Sequence, residues 1–124
     1  MKYSVIIPTY NRAGIIGKTI QSVLKQEFKN FELIIVDDGS TDNTGEVVKQ
    51  VNDERVFYYK KENGERGAAR NYGTAKATGD YVNFLDSDDV LYPNHLKEAD
   101  KFIASHNVPP VFYQSVEILV AGAG

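Results

Sequence analysis

The sequence predicts an α/β domain built on a mainly parallel, Rossmann-like sheet with helices on both faces. Two observations carry this. The foremost strand candidates, YSVIIP (3–8) and FELIIVD (31–37), are nearly continuous apolar runs rather than alternating ones, the pattern of strands buried on both sides. Stretches with helical periodicity separate them, and strands alternating with helices build parallel sheets through right-handed crossovers. A third observation bears on function. Polar clusters follow three strands: PTYNR, DDGS and DSDD. Parallel strands place their C-terminal ends on one edge, and ligands of open α/β sheets bind outside that edge, near a switch in strand order.

Taken in order, residues 3–8 form the first strand, with Pro8 expected to end its ladder because it cannot donate a hydrogen bond. Ile15, Ile16, Thr19, Ile20, Val23 and Leu24 then share one helix face. Residues 31–37 form the second strand. Val47, Val48 and Val51 mark a shorter helix, for which Ser40, Thr41, Asp42 and Asn43 are all good N-caps. VFYYK (56–60) is a third strand, and a helix is expected over about 67–77 after glycine-bounded ENGERG. TGDYVNFLD holds a fourth strand, 80–86. Pro93 suits the first turn of a last helix, with Leu96, Ala99, Phe102 and Ile103 facing inward. VFYQSVEILV (111–120) is a candidate fifth strand.

Composition excludes several classes. A chain of 124 residues, 42% apolar and 25% charged, is one globular domain rather than a disordered segment. Without cysteine it has neither disulfides nor thiolate metal sites, which suits a cytoplasmic protein. The formal net charge is -3, with no basic block beyond Lys60–Lys61, so no nucleic-acid groove is expected. No apolar stretch reaches the roughly 20 residues that span a bilayer. The opening MKYSVIIPTYNR lacks the apolar core of roughly 7–15 residues found in a signal peptide. A chain with no membrane segment is expected.

The strand ends carry the chemistry. In DSDD, Asp86 and Asp88 are one residue apart and can turn toward one ligand, with Asp89 adjacent. Carboxylate oxygens are hard donors suited to Mg²⁺ or Mn²⁺, and a divalent ion would offset their mutual repulsion and bridge to phosphates. Helix capping is the plainer alternative, but it accounts for one aspartate, not three. In DDGS, a carboxylate of Asp37 or Asp38 can accept a hydrogen bond from a nucleobase or ribose; a turn with an N-cap explains the stretch equally well. The spacing rules out an EF-hand, because Asn43 falls where the loop requires glycine. In PTYNR, Tyr10 can stack on a planar base, while Asn11 and Arg12 can reach polar groups. The absence of GxGxxG argues against a nicotinamide or flavin enzyme. In NGERGAARNYG, Arg66 and Arg70 are four apart and would welcome an anion, or simply face solvent.

Together these pieces resemble the N-terminal half of a family 2 glycosyltransferase with the GT-A fold. The match runs in order through SVIIPTYNR, QSVLKQEFKNFELIIVDDGSTDNT, NGERGAARNYG and GDYVNFLDSDDVLYP, from residue 3 to about residue 105. A lone DxD is weak evidence; four ordered motifs, each at a strand end or helix start, are specific. The resemblance implies transfer of a sugar, with inversion, from a nucleotide diphosphate sugar, with a lean to UDP, to a hydroxyl of a glycan or glycoconjugate acceptor. It implies that Pro8, Thr9 and Tyr10 line a base pocket and that Asp38 hydrogen-bonds the base. Asp86 and Asp88 match the DxD. The last Asp binds the Mn²⁺ or Mg²⁺ that holds the diphosphate, and the first lies near the ribose or donor sugar. Arg70 and Asn71 match a motif whose basic residue sits near the donor. A haloacid-dehalogenase-like phosphatase also uses DxD, but there the first Asp is a nucleophile after the domain's first strand.

The resemblance also sets an expectation about extent. Residues 1–124 would be one nucleotide-diphosphosugar-binding domain, the N-terminal part of a longer family domain. The acceptor site and the general-base carboxylate normally lie in the remainder, and after Val108 Glu117 is the sole carboxylate. A truncated, donor-binding half is therefore expected; the alternative function is nucleotide-sugar binding without turnover. VFYQSVEILV is expected either to fold back or to pair with a second copy as a homodimer.

Overall fold

The computed structural model describes residues 1–65 and 67–106. The fifth-strand candidate, Glu117 and Arg66 lie outside the described residues. The elements run β1 (Tyr3–Thr9), α1 (Ile16–Leu24), β2 (Phe31–Asp37), α2 (Thr44–Lys49), β3 (Val56–Lys60), α3 (Ala68–Lys76), β4 (Tyr81–Phe84) and α4 (His95–His106). All strand pairs are parallel, in the order β3-β2-β1-β4. The chain adds β2 and β3 on one side of β1, then returns with β4 to the other. The switch in order therefore lies between β1 and β4, and a crevice opens beyond their C-terminal ends.

Helices cover both faces, as expected. On one face Val5, Ile7, Leu33 and Ile35 pack with Ile16, Ile20 and Val23 of α1, Val48 of α2, and Leu96 and Ile103 of α4. On the other, Ile6, Ile34, Val36 and Val82 pack with Ala69 of α3. Helix α3 sits very close to the sheet. A Cβ on Gly73 would lie 2.6 Å from Ile6 Cγ2 and 3.2 Å from Val36 Cγ2, so this helix position requires glycine.

Several expectations are corrected. Pro8 does not end β1, which runs to Thr9. Tyr3 N donates to Asn30 O and Asp38 N to Thr9 O, so odd-numbered residues of β1 face β2. Even-numbered ones face β4, whose last paired residue is Phe84, opposite Ile6. The nitrogen of Pro8 points past the end of β4 and needs no partner. Ile15 is not on the buried face of α1; it is the N-cap and 43% exposed. At α2 the N-cap is Asn43, whose side chain makes no cap bond. Asp42 serves instead, its Oδ1 accepting from Thr44 N at 3.0 Å. Pro93 precedes α4 rather than lying in its first turn, and its carbonyl accepts from Glu27 N at 2.9 Å. Phe102 is only half-buried, stacked on the His106 ring at 3.9 Å.

At the sheet edge opposite the crevice, Glu32 of β2 is buried. Its carboxylate accepts from Ser4 Oγ of β1 at 2.6 Å, and from Thr78 N and Oγ1 at 2.6 and 3.0 Å. Burial by itself would raise its pKa. The hydrogen bonds from Ser4 and Thr78, with Lys2 beside them, outweigh that and hold it below the usual 4.5. The charged form thus ties β1, β2 and the entry to β4 together. Its contribution is complete above pH 4.5 and is lost as pH falls through the lower folded value. Glu32→Gln is expected to cost about 2 kcal/mol near neutral pH and to flatten the acid limb of the stability profile. Urea melts at a series of pH values check both.

Candidate functional site

A cleft of about 440 Å³ opens at the switch point, and its lining includes Pro8, Thr9, Tyr10, Asp38 and Arg70. With Asn11 and Arg12, which line it too, seven residues singled out in the sequence are brought together. Thr9 is buried, and its Oγ1 has no hydrogen-bond partner among the described residues. A buried hydroxyl without a partner is uncommon and costly, so it stands ready to bond a ligand. Tyr10 is 44% exposed and presents its ring at the rim. Asn71 does not line the cleft; it is an exposed residue of α3.

The two aspartates of DDGS divide the readings between them. Asp37 is fully buried and builds the turn: Oδ1 accepts from Ser40 N at 2.8 Å, and Oδ2 accepts from Tyr58 OH. Desolvation first, then this hydrogen bond to Asp37, drives the Tyr58 pKa up, so the phenol remains a donor. Asp38 faces the cleft. Its Oδ1 accepts from Lys61 Nζ at 2.6 Å and Gly64 N at 3.1 Å. Gly39, at φ 79, permits the reversal. Asn11 lines the cleft and also shapes it: at φ 51, its Oδ1 accepts from Thr41 N at 2.8 Å and clamps the loop after β2 onto the loop after β1.

Across the cleft, Ser87 brings an acidic turn to its rim; Asp86, Asp88 and Asp89 lie beside the cleft and do not line it. Asp86, Asp88 and Asp89 are exposed, and each offers an oxygen within 4.8 Å of the others. Asp89 N donates to Asp86 O at 3.0 Å, closing the turn that gathers them. Arg70 Nη2 lies 3.9 Å from Asp86 Oδ1, and its guanidinium rests over the Phe84 ring at 4.8 Å. That pair is solvent-exposed and weak, so among the described residues most of the negative charge is left uncompensated. Three carboxylate oxygens with no nitrogen or sulfur donor fit a hard divalent cation such as Mg²⁺ or Mn²⁺.

Helix α1 holds this turn from beneath. Thr19 Oγ1 donates to Ser87 O at 2.9 Å, and Ser22 Oγ accepts from Leu91 N at 3.0 Å. Gln26, fully buried, donates to Tyr92 O at 2.7 Å and accepts from Leu96 N at 3.0 Å. The sequence places Thr19 on the inner helix face; Ser22 and Gln26 escaped sequence reasoning. Ser22 lies beside Thr19 and Val23 on α1, whereas Gln26 follows the end of the helix and carries no periodic signal. Through Arg12 N, which donates to Thr44 Oγ1 at 3.0 Å, the entry to the same helix also meets the first residue of α2.

Comparison with known proteins follows this geometry. The sequence model for Glycosyl transferase family 2 matches residues 4–118. An uncharacterized glycosyltransferase of Rickettsia bellii is 44% identical over 107 residues, covering 86% of this chain and 16% of that protein. S. aureus TarS in complex with UDP-GlcNAc superposes with a TM-score of 0.81 at 39% identity, covering 86% of this chain and 32% of that one. The mannosyltransferase PcManGT of Pyrobaculum calidifontis, in complex with GDP-Man and Mn²⁺, gives 0.77 at 28% identity, covering 82% and 32%. The fold is thus of the GT-A type. The chain spans 16–18% of the length of its first rickettsial relatives.

The α1 support generates a prediction. Gln26→Leu leaves Tyr92 O and Leu96 N without their buried partner, so it is expected to cost about 2–4 kcal/mol at about 1–2 kcal/mol per orphaned group. Thermal melts should show the loss. Proteolysis should open the 86–94 loop before the sheet.

Proposed function

We propose a sugar-transfer function on one premise: the chain belongs to glycosyl transferase family 2. On this reading residues 1–124 form one nucleotide-diphosphosugar-binding domain. It holds the donor of an enzyme that moves a sugar, with inversion, to an acceptor hydroxyl on a glycan or glycoconjugate. The observation that carries the reading is the juxtaposition of two features at the β1–β4 switch. One is the cleft lined by Pro8, Thr9, Tyr10, Asp38, Arg70 and Ser87, the other the cluster of three carboxylates flanking Ser87, with Arg70 within 3.9 Å of Asp86. The UDP-GlcNAc complex of TarS and the GDP-Man complex of PcManGT support a nucleotide-sugar donor.

Each residue then has a task. Tyr10 stacks on the base, and Asp38 accepts a hydrogen bond from its edge. Thr9 Oγ1 bonds the nucleoside in place of the partner it lacks among the described residues. Asp86 and Asp88, with Asp89 close by, would hold Mn²⁺ or Mg²⁺. When bound, such an ion neutralises charge developing on the leaving diphosphate. Arg70 approaches the same diphosphate from α3, and Asn71 follows it at the helix surface; on this reading both are donor-binding. The acceptor's proton is taken by a general-base carboxylate, as inverting transfer to a hydroxyl requires. Among the described residues no helix is long and apolar enough to cross a membrane; a cytoplasmic location belongs to the proposal.

Two measurements test it. In calorimetric titrations UDP should bind more tightly with Mn²⁺ than with chelator, and Asp88→Asn should abolish most of that difference while leaving the melting curve unchanged. Asp38→Ala should weaken uridine and UDP alike by about 1.5–3 kcal/mol, because the lost contact is a charge-assisted hydrogen bond to the base. Equal UDP affinity with and without metal, or uridine binding indifferent to Asp38, contradicts the corresponding half.

A further inference from the structure

We infer that Lys61 sets which nucleobases Asp38 accepts. It fixes that carboxylate as a hydrogen-bond acceptor, favouring bases that present a ring N–H, uracil or guanine, over those that present a ring-nitrogen lone pair, cytosine or adenine. The inference rests on the reading of Asp38 as the residue that contacts the base.

The turn after β3 is folded against the DDG turn at several points. Lys61 N donates to Asp37 O at 2.9 Å, and Asn63 Nδ2 donates to Asp38 O at 2.9 Å. Lys61 Nζ reaches Asp38 Oδ1 at 2.6 Å and is itself oriented by Glu62 O, also at 2.6 Å. Gly64 N adds a second bond to the same oxygen. The fit is close. A Cβ on Gly64 would lie 2.9 Å from Lys61 Nζ, and one on Gly39 would lie 2.7 Å from Asn63 N. The ion pair is largely shielded, its side chains 17% and 20% exposed.

Chemical selectivity follows from this arrangement. Among the described residues both donors to the Asp38 carboxylate go to Oδ1, so Oδ2 is the oxygen offered to a ligand. A carboxylate carrying an ammonium on one oxygen offers only acceptor capacity on the other. Uracil N3–H and guanine N1–H can donate to it. Cytosine N3 and adenine N1 carry lone pairs, which repel it and leave the acceptor unpaired. Lys61 does not line the cleft, so it acts through Asp38 and is a positioning residue. Without its ammonium, Asp38 loses one anchor and its counter-charge. The carboxylate can then turn away from the base edge, and the distinction between the two classes of base weakens.

UDP and CDP share ribose, diphosphate and metal, so the ratio of their affinities isolates the base edge. Both are titrated with Mn²⁺ into the full chain as wild type, Lys61→Met, Lys61→Arg and Asp38→Ala. The wild type is expected to prefer UDP by about tenfold or more, the weight of one charge-assisted hydrogen bond. Lys61→Met should bring the ratio within about threefold, and Lys61→Arg, which restores the cation, should recover most of it. If Lys61→Met fails to fold, Lys61→Gln, which keeps a donor without charge, is expected to lower the ratio likewise. An unchanged ratio in the folded Lys61 variants, together with a ratio lost in Asp38→Ala, overturns the role of Lys61 while leaving Asp38 as the base contact. UDP binding unaffected by Asp38→Ala overturns the base-contact reading and this inference with it.

Discussion

The parallel pairing of β1 with a neighbour on each side is the constraint on which the rest depends. Register along β1–β2 runs from Tyr3–Phe31 to Thr9–Asp37, whereas β1–β4 stops at Ile6–Phe84. The stagger leaves Pro8 and Thr9 projecting past the end of β4, so that strand's exit loop turns across open space. The crevice exists because one neighbour is shorter than the other. A slip of one residue would exchange the two buried faces of β1. It would put Ile6 against α1 and Val5 against α3, where Gly73 leaves room shaped for Ile6.

Around that frame, polar groups are used in two physically different ways. Those at the bottom edge, Glu32 with Ser4 and Thr78, are fully satisfied and fasten strands together. Those at the crevice are left partly unsatisfied. Among the described residues Thr9 Oγ1 lacks a partner, and the aspartates of the 86–89 turn face one another with Arg70 in ion-pair reach of Asp86. A buried hydroxyl without a partner is costly to the chain alone, and three crowded carboxylates concentrate negative charge at one exposed turn. A nucleotide with a divalent cation would relieve both at once. Preorganisation comes from beneath, through Thr19, Ser22 and Gln26, and through Asn11 clamping the neighbouring loop.

Much of this was legible in the sequence. Continuous apolar strands declare themselves because burial on both faces leaves no room for alternation, and β1 and β2 fall within one residue of their expected bounds. The acidic turn was legible because three aspartates in four positions have no cheap structural use. What stayed hidden was polar chemistry inside apparently ordinary elements. Gln26 looks like a surface residue just past an amphipathic helix, yet it is fully buried. Glu32 interrupts an apolar run with nothing nearby in sequence to announce Ser4 or Thr78. Lys61 reads as half of a solvated Lys–Lys pair, although its partner lies 23 residues away. Local sequence cannot supply such partners, because they come from strand order and register. Pro8 misled for the same reason: whether a missing N–H matters depends on which side of the strand it faces and where the neighbour ends.

The central claim is that one cleft joins a base-reading carboxylate to a cation-binding acidic turn. A crystal structure of the chain with UDP and Mn²⁺, using anomalous scattering to locate the metal, tests it most directly. The account predicts one manganese peak at roughly 2.0–2.6 Å from oxygens of the 86–89 turn, the range for hard cations on carboxylates. The same structure should show the diphosphate on the metal and the uracil edge against Asp38. A manganese peak away from that turn, or a uracil seated elsewhere than between Tyr10 and Asp38, would contradict it.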